Sequence, residues 1–221
     1  MNKKNLYISL FLNTFTLISV IVCIIITIMK TPESFKMFTV QSNLICGIVA
    51  SIVLFFEILI IMKKKEELPT WLKITKMVST TGVTLTLLVV VFYLGFVAVA
   101  QGYSYFIMFY DANICFHLLT PLSAIISFIF FEGTNKINFK FTFLNLIHMF
   151  LYTIFYSINV LTHLNPDGSV NRKYDWYYFV NGGNYTLIFI VIGMLLFTYG
   201  IGFCLWFTNK KIYNKFDKGR L

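Results

Sequence analysis

Charge is scarce in this 221-residue chain: 12% of its residues are charged and 58% are hydrophobic, with a mean hydropathy of +0.78. Soluble domains run at about 45–50% apolar and about 25% charged. The deficit excludes an ordinary cytosolic globule, a disordered tail and a collagen-like fibre. Arginine is almost missing, with Arg172 and Arg220 set against sixteen lysines. The net charge is +9, but the lysines gather at the ends of apolar runs instead of forming a patch. That excludes a nucleic-acid binder in the usual sense and is the pattern of membrane topology. None of the four cysteines (Cys23, Cys46, Cys115, Cys204) has CxxC spacing, and all lie in apolar stretches, so they read as small buried hydrophobes. There is no Gly/Pro/Ser-rich linker and no repeat, so residues 1–221 read as one domain. HExxH, HxxxH, Walker, GxSxG and Gly-rich dinucleotide patterns are all lacking. His148 and His163 stand fifteen residues apart on one helix, about 22 Å, and cannot share an ion. No metal and no cofactor is expected. Low Arg with abundant Ile, Asn, Phe and Tyr points to an AT-rich, bacterial genome.

What the chain has is long apolar runs. A bilayer core of about 30 Å takes roughly 20 apolar residues at about 1.5 Å each. Six stretches qualify: Leu6–Met29, Met37–Met62, Lys73–Ala100, Asp111–Phe131, Phe139–His163 and Tyr185–Phe207. The first, preceded by Lys3 and Lys4, has the look of a signal peptide. Its apolar run is too long for one, and no small-x-small cleavage site precedes Lys30, so it reads as a span. The expected fold is all-α, a six-helix transmembrane bundle. With both termini on one side, that side carries fourteen Lys and Arg and the other carries four: Lys30, Lys36, Arg172 and Lys173. The bias predicts cytoplasmic termini, in a multi-pass protein of a bacterial plasma membrane.

Polar residues within spans are costly and tend to face the bundle interior. Asn145, His148, Tyr152, Tyr156, Asn159 and His163 recur at helical steps on one face of the fifth span. Interhelical hydrogen bonding accounts for most of that row. In the second span Thr39, Asn43 and Cys46 share a face, with Gln41 and Ser42 beside them. In the fourth span Asn113, His117 and Pro121 align, and Pro121 deprives a carbonyl near His117 of its usual donor. Thr39 lies roughly 3 Å and His117 roughly 9 Å inside spans that run the same way. A hydroxyl and an imidazole at matched depth are the minimum for a base-activated nucleophile. Asn43 is placed to donate to an oxyanion, and Asp111, Asn113 or His148 to orient the imidazole. The bland reading is a threonine bonded to its own helix and a satisfied core histidine. Glu57 and Lys76 are candidates for a proton or ion path, although Glu57 is only six residues from Lys63, close enough to reach the interface. Between the last two spans, Tyr174, Trp176, Tyr177, Tyr178 and Phe179 form an aromatic cluster followed by Gly182-Gly183. It reads either as an interfacial belt or as a lid with a glycine hinge.

At FTVQSNL (38–44) and FHLLTPL (116–122) the chain resembles the androgen-induced / androgen-dependent TFPI-regulating family of multi-pass membrane proteins, and more closely its bacterial relatives. DWYYF (175–179) matches that family's aromatic cluster loosely. The resemblance covers nearly the whole chain in span order, through short motifs. It implies hydrolysis of fatty acid esters of hydroxy fatty acids, with Thr39 as nucleophile and His117 as its partner. Gln41, Ser42 and Asn43 follow the bacterial pattern, so substrate identity transfers less well than site. The expected partner is a membrane lipid or lipid-like ester. The alternative is a non-catalytic lipid- or small-molecule-binding or transport protein using the same polar cavity.

Overall fold

The computed structural model describes residues 3–132, 137–180 and 184–218. Among them there are helices and turns and no strand. Six helical elements follow in chain order: α1 (Lys3–Lys30), α2 (Phe38–Ile61), α3 (Thr70–Ala100), α4 (Cys115–Phe131), α5 (Phe139–Thr162) and α6 (Asn184–Lys218). Five are long and apolar enough to cross a membrane: α1, α2, α3, α5 and, within α6, Leu187–Asn214. These make the chain an integral membrane protein. Element α4 has 17 residues and falls short of that length.

The shortfall has a local cause. Asp111 has a positive φ of 53° and still belongs to a turn that follows the 3₁₀ segment Tyr105–Phe109. His117 is therefore the third residue of α4, and Thr39 is the second of α2.

Consecutive helices alternate in direction. One end of the bundle, the lid end, gathers Thr31–Met37, the 101–113 turn and the 163–180 loop. The other, the termini end, gathers residues 62–69, Glu132 and the start of α5. Two helices, α3 and α4, contain three wide π turns between them. In α4 the turn spans Cys115–Leu119, where the Thr120 N–H reaches back five residues to the Cys115 carbonyl. Pro121 explains it: its ring crowds the His117 carbonyl and offers no N–H. In α3 the turn is Val90–Leu94, and the Tyr105 hydroxyl donates to the Val91 carbonyl at 2.8 Å. Gly95 makes room for that ring, which would overlap any Cβ there. The third turn, Ser127–Phe131, brings Glu132 back under α4.

Packing between α1 and α4 is a polar ladder. Thr16 and Ser123 hydroxyls bond at 2.7 Å, Ser19 and Thr120 at 2.9 Å, and Asn13 donates to Ser127 at 3.3 Å. Lys30 and Asp111 close its lid end as an exposed ion pair at 2.9 Å. Between lipid-facing helices there is little hydrophobic drive to associate, so such bonds and close packing hold the bundle. Cys23, Cys46 and Cys115 are buried, but Cys204 is exposed on the outer face of α6. That corrects the expectation that all four are buried: an apolar surface against lipid accepts a thiol as readily as the core does.

Candidate functional site

The N-terminus of α2 is built by side chains around it. Pro32 opens a 3₁₀ turn that delivers the chain to Met37, and no side chain of the helix itself caps it. The Phe38 N–H instead donates to the Tyr177 hydroxyl at 3.0 Å. Thr39 follows, half-buried, and among the described residues its hydroxyl makes no side-chain hydrogen bond. The Gln41 amide donates to the Phe35 carbonyl at 3.1 Å, and the Ser42 hydroxyl to the Thr39 carbonyl at 3.0 Å. Both brace the turn rather than point at a ligand.

Asn43 is the junction. Its amide donates to the Thr39 carbonyl at 2.8 Å and to the Phe116 carbonyl of α4 at 3.2 Å. One nitrogen thus ties the residue of interest on α2 to the residue before His117. The Asn43 Oδ1 is buried without a partner. His117 is 8% exposed, and its Nδ1 is likewise buried and unpartnered. None of the groups expected to orient that ring does so. Asp111 is engaged with Lys30, Asn113 is exposed, and His148 stacks on Phe38 with ring centroids 4.7 Å apart. Both His148 nitrogens lack partners, and its ring lies against Gly82, where a Cβ would come within 3.1 Å of Nδ1.

The fifth-span row divides. Asn145 accepts from Thr81 at 3.1 Å and presses on Gly202. Tyr152 donates to the Lys36 carbonyl at 3.0 Å. Asn159 bonds its own helix at Phe155, and His163 is exposed, stacked on Tyr174 at 3.9 Å.

The aromatic loop lies against the lid end. Trp176 donates to the Tyr152 hydroxyl at 3.1 Å and carries the Lys36 ammonium 4.9 Å above its ring. Asp175, fully buried, accepts from the Tyr156 hydroxyl and from the Phe179 and Val180 N–H groups. Burial pushes the Tyr177 hydroxyl above its ordinary pKa. Tyr178 turns outward, 58% exposed, with a φ of 58°. The Gly182-Gly183 hinge lies outside the described residues.

The termini end holds a second polar cluster, most of which sequence reasoning missed. Glu57 is fully buried and does not reach the interface, which corrects the reading based on its distance from Lys63. Lys76 donates to Asn13 Oδ1 at 2.5 Å and lies 3.6 Å from Glu132 Oε1. The Asn13 amide reaches Glu132 at 3.0 Å and Glu57 Oε1 at 3.4 Å, and Ser127 also donates to Glu132. The signal was present in α1, where Ser9, Asn13, Thr16, Ser19, Cys23 and Thr27 recur at helical steps on one buried face. Among the described residues, no group of three or more His, Cys, Asp or Glu is arranged to hold a metal ion.

No family model matches the chain, and neither a curated protein nor a solved structure matches it.

Proposed function

We propose that the chain is an intramembrane lipid-ester hydrolase in which Thr39 is the nucleophile and His117 the general base. The observation that carries this reading is the Asn43 bridge. A single amide holds the Thr39 and Phe116 carbonyls, so an unbonded threonine hydroxyl and an unpartnered imidazole belong to the same corner of the bundle. Resemblance at FTVQSNL and FHLLTPL supports the same pair.

A threonine hydroxyl is a weak nucleophile and needs a base. His117 takes the Thr39 proton as the oxygen bonds to the ester carbonyl carbon. The intermediate collapses, the ester C–O bond breaks, and the imidazolium returns the proton to the departing alkoxide. Water, deprotonated by His117, then cleaves the threonyl ester and frees the acid. Asn43 has its amide hydrogens committed to two carbonyls and steadies an oxyanion only by giving one up. The Thr39 and Val40 N–H groups, in the first turn of α2 and without acceptors among the described residues, supplement it at the positive end of the helix dipole. Trp176 and Tyr177, with Tyr174 beside them, form the lid, and Tyr178 faces away from it.

In this reading α4 is the sixth crossing. Its 17 residues span about 25 Å, and the polar ladder holds it inside the bundle. The lysine bias sets both termini in the cytoplasm, with the site near the outer leaflet of a bacterial plasma membrane. Ester carbonyls of lipids lie at that depth.

The test is hydrolysis of a fatty acid ester of a hydroxy fatty acid by purified protein. Thr39→Ala, His117→Ala and the double variant lose similar amounts, because each disables one unit. Thr39→Ser keeps part of the activity, and His148→Ala harms folding more than turnover. Full activity in Thr39→Ala refutes the assignment and leaves non-catalytic lipid binding or transport as the reading.

A further inference from the structure

At the termini end, away from Thr39, three ionisable side chains share one buried chamber. Glu57 and Lys76 are fully buried and Glu132 is 1% exposed. Two carboxyls and one ammonium do not balance. A buried net charge is among the most expensive things a protein can hold, and in an apolar bundle the group takes or loses a proton instead.

Geometry divides the two carboxyls. Glu132 has the surroundings of a carboxylate: its Oε1 accepts from Asn13 and Ser127 and lies beside Lys76. Glu57 is served poorly. Its carboxyl meets only neutral donors, Ser9 and the Asn13 amide, the latter at 3.4 Å from Oε1, and its Oε2 has no partner. Among the described residues, the nearby cations are engaged elsewhere. From α3, Lys73 is paired with Glu67 at 3.0 Å, and from α6, Lys210 is turned onto the Trp206 ring at 4.7 Å. Asn209 of α6 brings only an amide, held by the Phe128 and Glu132 carbonyls. Ser9 and Asn13 of α1 are neutral, and the Cys46 thiol of α2 brings no cation.

We propose that this chamber is a proton-binding site, holding one proton on Glu57 beside the Lys76–Glu132 pair. Its ligand is a proton rather than a metal cation, because the Lys76 ammonium already fills the place a cation would take among Asn13 Oδ1 and Glu132 Oε1. Proton loss leaves an uncompensated charge between α1, α2, α3 and α4. The termini end must then take in water or part, which makes this end of the bundle responsive to pH. The proposal does not rest on the ester chemistry at Thr39, and either stands if the other fails.

The test is infrared spectroscopy of the full chain in lipid nanodiscs at neutral pH, read in the C=O stretch of protonated carboxylic acids. The wild type shows this band. Glu57→Gln loses one carboxylic acid per chain, since Lys76 and Glu132 then balance alone. Glu132→Gln loses it as well, because Glu57 must now ionise to balance Lys76. Lys76→Met does the opposite and gains one. A wild-type spectrum without the band overturns the proposal whatever the variants do. So does a band that persists at full intensity in Glu57→Gln and Glu132→Gln.

Discussion

Asn43 does with one amide what two helices need: it holds the Thr39 carbonyl on α2 and the Phe116 carbonyl on α4. Asn43→Ala leaves a buried carbonyl of α4 without this donor, a loss on the order of 1–3 kcal/mol. It also loosens the tie between the segments that carry Thr39 and His117, the proposed nucleophile and base. Ester hydrolysis is expected to fall at least tenfold while the Thr39 hydroxyl and His117 ring are still present, and thermal unfolding to shift down. Unchanged turnover would remove Asn43 from the account. Thr39, Asn43 and His117 were legible in the sequence because polar groups at four-residue spacing in an apolar run stand out. The Asn13–Glu132 contact was not, because 119 residues separate its partners and Glu132 sits at a helix end, where a carboxylate looks like an ordinary interfacial charge. Its burial depends on the π turn at Ser127–Phe131, which nothing local announces.

At the scale of elements, the loop from Tyr174 to Val180 is held by its hydroxyls as much as by its apolar area. Tyr177 accepts from the first N–H of α2, and burial raises its pKa. A raised folded-state value means the contribution is complete below the unfolded value, about 10, and is lost as pH climbs through the folded one. Trp176 emission should therefore stay blue-shifted at neutral pH and move red in alkali as the loop detaches. In Tyr177→Phe the resting contact is weaker by about 1 kcal/mol, and the alkaline step shrinks. An identical alkaline transition in that variant would assign the anchoring elsewhere. Helices α1, α2, α3 and α5 were readable from apolar length to within a few residues at each end, since length alone decides what reaches across a bilayer. The exceptions were α6, which runs on to Lys218 instead of ending at Phe207, and the start of α4. The α4 start predicted at Asp111 gave way to a turn, because a positive φ there and the pull of Lys30 on its carboxylate hold the chain out of the helix. Cys204 was misread for a similar reason: hydropathy separates apolar from polar residues but does not separate the bundle interior from its lipid face.

For the whole molecule, the proposed six crossings would put both termini on one side, and the lysine excess would make that side the cytoplasm. Lys76 drops out of that count, since it is a core residue and not a loop charge, but the bias remains large without it. A reporter fused after Leu221 is expected to be active only in the cytoplasm. Activity outside would mean that α4 does not cross or that the orientation is reversed, and would overturn the outer-leaflet placement of the site. The central claim is that one threonine in this bundle is a nucleophile. Reaction of the purified protein with a fluorophosphonate, followed by peptide mass spectrometry, addresses it most directly. The account predicts a covalent adduct on Thr39 that disappears in Thr39→Ala and is strongly reduced in His117→Ala. Labelling that survives Thr39→Ala at full intensity, or an adduct mapped to another residue, would contradict it.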